Sequence, residues 1–176
     1  MDAQSLIDHL RLTPHREGGF FRRIYTSPQT LPDQTPAGAQ DQQRPLMSSI
    51  LYLLSNAQPR GYLHRNRADI LHYWQRGRAI RYTLLGSDGQ LTCATLGPDL
   101  ASGQQLTLLV PGGVWKASEL LPQTGDEADY GLIAEAVCPG FDYRDQHMAR
   151  ADEIRQQYPD HWPILAPLIQ RDEETI

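Results

Sequence analysis

An all-β barrel or sandwich with short helices at both ends is the architecture this sequence predicts, and three observations carry it. About eight short apolar or alternating runs lie between residues 47 and 138, each bounded by Gly, Pro, Asn or Asp. Helical periodicity is confined to the first dozen residues and to the tail from Asp142. A length of 176 residues with 40% hydrophobic and 21% charged side chains suits one domain, residues 1–176, with a barrel over about 18–140.

The elements are taken in chain order. Over residues 5–12, Leu6, Ile7 and Leu10 recur at helical spacing until Pro14 stops the pattern, giving a short amphipathic helix whose apolar stripe packs on the neighbouring sheet. Pro14 to Gly19 is a turn that runs into an aromatic strand through Phe20, Phe21 and Ile24. Residues 27–44, rich in Pro, Gln, Thr and Asp, read as a mobile surface loop. The strands are then expected at 47–54, 62–65, 70–74, 79–85, 91–96, 105–110, 114–118 and 131–138. The tail, residues 142–176, turns helical over 142–158 with Asp142 as N-cap, and Pro159, Pro163 and Pro167 break the remainder of the chain into short pieces.

Composition narrows the function classes. A net charge of -5, with arginines scattered rather than striped, lacks the footprint of a nucleic-acid binder. No basic leader with an apolar run opens the chain, and no window approaches the roughly 20 apolar residues of a membrane span, so a cytoplasmic protein is expected. Cys93 and Cys138 form no Cys-x-x-Cys unit and are expected to be buried thiols.

Alternation along strands selects the inward residues. Tyr62, His64 and Asn66 share a face, as do Ile70, His72 and Trp74, then Val114 and Lys116, then Ile133, Glu135 and Val137. A carboxylate between two β-branched residues needs a partner, because burying it unpaired costs several kcal/mol. His64, His72 and Lys116 are the candidates; the competing reading turns Glu135 to solvent and packs Ala134 and Ala136 inward.

Five motifs in sequence carry a resemblance. Residues 64–77, and Val-Pro-Gly-Gly-Val-Trp-Lys-Ala over 110–117, resemble the two motifs of the cupin superfamily. Leu12-x-Pro14-His15-Arg16-Glu17-Gly18-Gly19-Phe20, Asp88-Gly89 with Leu96-Gly97-Pro98-Asp99, and Val137-Cys138-Pro139-Gly140-Phe141-Asp142 are similar to its Cupin 5 branch, a domain of unknown function. The resemblance implies a double-stranded β-helix, or jelly-roll barrel, of the RmlC-like kind with a ligand cavity at one end, often in a homodimer. It also maps the usual cupin metal ligands onto His64, Asn66, Ile70 and Lys116. Ile70 and Lys116 cannot hold a divalent ion, so no cofactor is expected. A transition metal on a rewired His64, His72 and Glu135 set is the disfavoured alternative, because Lys116 would repel it.

Three functional readings remain open. The first is a metal-independent isomerase or epimerase acting on a sugar-like or carbonyl ligand, with His64 as base, Glu135 fixing its tautomer and Lys116 stabilising an enolate. The second is a non-catalytic binding module in which Tyr62, Tyr73, Trp74 and Trp115 form an aromatic wall and Asn66 and His72 orient the ligand. In the third the same residues are purely structural. The Phe20, Phe21 and Ile24 strand would leave an apolar edge, which supports a homodimer.

Overall fold

A computed structural model describes residues 1–32 and 43–171. The N-terminal helix α1 spans Ala3–Leu10; the Asp2 side chain accepts from Ser5 N at 2.8 Å, so the helix starts ahead of the expected position. Its end is set by Arg11 in the left-handed region.

The strands are β1 (Thr13–Pro14), β2 (Phe20–Thr26), β3 (Thr30–Pro32), β4 (Gln43–Pro45), β5 (Ser48–Ser55), β6 (Arg60–Asn66), β7 (Asp69–Gly77), β8 (Ile80–Leu85), β9 (Leu91–Leu96), β10 (Thr107–Val110), β11 (Trp115–Leu120), β12 (Tyr130–Cys138) and β13 (Gln146–Met148). All the expected strands are present. One antiparallel sheet runs β1-β2-β5-β12-β7-β10 and the other β13-β6-β11-β8-β9, with β3 and β4 paired separately. This is a jelly roll. Consecutive strands often lie in different sheets, and the two inner faces close on one interior.

Three apolar groups hold the layers. Between the sheets, Tyr52, Leu54, Ile80, Tyr82, Leu96 and Ile133 pack together. Outside the first sheet, Ala3, Leu6 and Ile7 of α1 cover Leu53, Tyr130 and Leu132, as the helical stripe predicts. Outside the second, helices α2 (Ala151–Gln157) and α3 (Trp162–Leu165) and the short turns around them cover Leu63, Leu85, Trp115 and Ala117. Each fully buried Leu or Ile contributes about 1.5–3 kcal/mol of burial.

Three expectations need correction. The tail does not turn helical at Asp142, which caps only the 3-10 turn Tyr143–Asp145; β13 comes next, and α2 begins at Ala151. The ends of the expected loop pair as β3 and β4, and both Ser27 and Arg44 are buried, with Arg44 bonded to Asp145 and Gly140 O; the rest of that reading falls on residues 33–42, outside the described ones. Cys93 and Cys138 are exposed, because each stands on the outward parity of its strand. No helix among the described residues is long and apolar enough to cross a membrane.

Candidate functional site

The polar side chains gather at one end of the interior because of register. On β7 and β12 His72 lies opposite Glu135, and on β11 and β6 Lys116 lies opposite His64. The two pairs come from opposing sheets. Lys116 joins them, its Nζ lying 2.9 Å from His72 Nε2 and 3.9 Å from Glu135 Oε2. His72 Nε2 is 3.5 Å from Glu135 Oε1.

The partners of each histidine fix its tautomer. His72 Nδ1 donates to Leu108 O at 3.3 Å, which leaves the Nε2 lone pair to accept from Lys116. His64 Nδ1 donates to Tyr62 O at 2.7 Å and turns Nε2 toward Glu17 Oε2 at 3.2 Å. Burial and the Lys116 charge push His64 down to about 3 and His72 well below the ordinary imidazole range. Both rings are therefore neutral at pH 7. Burial moves Glu135 the other way, above the usual carboxylate range, with Lys116 opposing the shift.

Glu17 arrives from the loop between β1 and β2. Gly18 has φ +94°, and a Cβ there would lie 2.2 Å from Arg60 O, so only glycine lets the loop lie this close to β6. Tyr62 N donates to Glu17 O at 2.6 Å, and Tyr52 OH donates to Gly18 O at 2.9 Å. The Glu17 carboxylate accepts from the Gln146 side chain, while its own N–H donates to His15 Nδ1 at 3.2 Å.

Glu17, Asn66, Lys116 and Glu135 wall a small, partly open pocket of about 30 Å³, with Phe21 and Phe141 as its aromatic lining. The Asn66 Oδ1 atom is buried there and has no hydrogen-bond partner among the described residues.

The inward expectation for Glu135 is correct, and so is its meeting with His72 and Lys116. His64 differs: the carboxylate facing it is Glu17, at 3.2 Å, not Glu135. The aromatic wall does not form. Trp115 and Tyr73 have the outward parity, and Trp115 packs under the C-terminal helices with the Arg65 guanidinium 4.5 Å from its ring. Trp74 packs against the apolar interior, one inward position beyond His72, and Tyr62 is half-buried outside the pocket lining. Glu17, His15 and Phe141 were missed as pocket residues because strand parity cannot place a side chain on a loop; Glu17 directly before Gly18-Gly19 was the available signal.

The cupin metal positions do not fit an ion. Ile70 is apolar and buried, and the Lys116 ammonium is placed against the His72 lone pair that a rewired site would need. Among the described residues no group of three or more His, Cys, Asp or Glu could hold a metal.

A jelly roll with a polar pocket at one end of its interior defines a cupin-type barrel. The chain belongs to the Cupin 5 family, described as Cupin superfamily (DUF985), whose model matches residues 4–149. It is 37% identical over 156 residues, 85% of this chain and 76% of the relative, to the uncharacterized protein YML079W of Saccharomyces cerevisiae. Among solved structures it is similar to a Shewanella oneidensis protein with TM-score 0.82 and 30% identity, covering 98% of this chain and 99% of that one. A hypothetical protein from Leishmania major gives TM-score 0.87 at 24% identity, covering 97% and 100% of the two chains, and shows the fold alone. Oxalate decarboxylase of Bacillus subtilis, at TM-score 0.52 and 13% identity, also shares the fold alone, over 91% of this chain and 38% of its own.

Proposed function

We propose that the pocket catalyses proton transfer at a carbon next to a carbonyl in a small organic ligand, an isomerase- or epimerase-type reaction that uses no metal. One observation carries the reading: Glu135 and Lys116 line the same pocket with Oε2 and Nζ 3.9 Å apart, a raised carboxylate beside a fixed cation. The Glu135 carboxylate takes the proton, and the C–H electron pair moves into the carbonyl to form an enolate. The Lys116 ammonium holds the resulting oxyanion, its Nζ being oriented by the His72 lone pair. Return of the proton to the other face of the same carbon, or, in an α-hydroxy carbonyl compound whose hydroxyl proton has passed to the former carbonyl oxygen, to the neighbouring carbon, restores Glu135 with no net redox change.

The base is thereby Glu135 rather than His64, since an imidazole depressed to about 3 has little affinity for a proton at neutral pH. His64 lies beside Glu17 in the barrel interior without donating to it.

The test is deuterium uptake from D2O into a panel of small keto and hydroxy compounds, monitored by proton NMR. Glu135→Gln and Lys116→Met should each slow exchange on the responding compound by about 100-fold or more. Wild-type exchange no faster than that of Glu135→Gln across the panel would sink the reading. The buried, unpartnered Asn66 Oδ1 favours a second reading, a binding pocket whose ligand donates a hydrogen bond there. That reading predicts saturable binding without exchange.

A further inference from the structure

Arg23 ends a row of residues that crosses the first sheet. Register sets Arg23 of β2 opposite Ile50 of β5, Ile50 opposite Glu135 of β12, and Glu135 opposite His72 of β7. Strands about 4.8 Å apart put the Arg23 backbone roughly 10 Å from that of Glu135. Both residues line the pocket. The Arg23 guanidinium lies over the Phe141 ring, 5.8 Å from its centroid, and Phe141 is itself held by its N–H donating to Ser48 Oγ at 2.9 Å. Among the described residues Arg23 has no carboxylate within ion-pair distance, whereas the inner cation Lys116 has Glu135 at 3.9 Å. The pocket thus carries, on an aromatic shelf, a guanidinium with no ion pair of its own, in line with the residue assigned as base.

We propose that Arg23 is a carboxylate subsite and that the ligand is a small keto or hydroxy acid. Its carboxylate is clamped by the guanidinium at the mouth, and its reacting carbon points inward to Glu135 and Lys116. The inference rests on the proton-transfer reading of the same pocket. One guanidinium matches one carboxylate in charge and in its forked donor geometry. A phosphate dianion would bring a second negative charge beside Glu17 and Glu135 with no further cation to meet it at the rim.

Calorimetric titration of the full chain with pyruvate, neutral hydroxyacetone and inorganic phosphate tests this. Pyruvate should bind wild type at least 10-fold more tightly than hydroxyacetone does. Arg23→Ala should lower pyruvate affinity at least 10-fold, Arg23→Lys should lower it less, and neither should alter hydroxyacetone binding. Arg81→Ala, which removes a cation paired with Glu119 at 2.9 Å on the second sheet, should change nothing. Unchanged pyruvate affinity in Arg23→Ala, no pyruvate binding to wild type at about 10 mM, or Arg23-dependent binding of phosphate but not pyruvate would each overturn the subsite. Deuterium exchange into pyruvate separates the two proposals. Exchange lost in Glu135→Gln but untouched in Arg23→Ala leaves the reaction standing and removes the subsite. Arg23-dependent binding with no exchange does the reverse.

Discussion

The two ends of the barrel interior are built by the same strands and lie two residues apart on β7 and β12 and four apart on β11. On β12 Ile133 belongs to the apolar end and Glu135 to the pocket; on β7 the pair is Trp74 and His72; on β11 the walk from Leu120 to Lys116 makes the same crossing. At the apolar end the side chains are held by van der Waals contact. At the polar end three histidines, two carboxylates and a lysine are drawn together, and burial with the Lys116 charge pushes His64 and His72 down while burial pushes Glu135 up. A jelly roll can therefore pack one end of its interior with apolar side chains and gather ionisable groups at the other without a separate domain.

The contrast breaks if the two ends respond alike to mutation. Ile133→Ala, at a fully buried site, should cost about 2–5 kcal/mol in urea unfolding. Next in size is a pH effect. His64 is held at about 3 when folded and titrates near 6.5 when unfolded, so below pH 6.5 the unfolded chain binds a proton that the folded chain does not. Stability from this group is complete above pH 6.5 and is lost as pH falls toward 3, with a slope of about 1.4 kcal/mol per pH unit. Urea midpoints measured from pH 7 to pH 4 should fall at least that steeply, because His72 adds a slope of the same sign, and His64→Gln should make the fall shallower; an unchanged slope would remove His64 as one of its sources. The smallest effect is expected from Glu135→Gln, two residues along the same strand face from Ile133. A neutral isostere spares the burial of a charge, so stability should move by no more than about 1 kcal/mol even as exchange collapses. If Glu135→Gln melts the protein as far as Ile133→Ala does, the carboxylate is a structural strut and the division between the ends fails.

Legibility in the sequence divides along the same line. Period-two alternation placed Ile133, Glu135, His72 and Lys116 on inward faces, because a strand that packs on a core allows only one register. The same rule, applied evenly, excludes Trp115: it neighbours Lys116 and must face the other way. Alternation says nothing about which inward residues meet across the interior, so the partners of His64 were not legible. Nor could it show that a turn beside Gly18 delivers Glu17, since that depends on a close approach to Arg60 O made by the folded barrel. The short β13 was hidden as well, its polar Gln146 and His147 giving no apolar signal ahead of α2.

Glu17 and Gln146 lie near opposite ends of the chain, yet their side chains are bonded, and the carboxylate they fix faces His64 in the pocket wall. During synthesis the first of them leaves the ribosome long before the second, and nearly the whole polypeptide must be present before that wall can close. The pocket is then among the last parts of the molecule to be completed, after the barrel around it has begun to form.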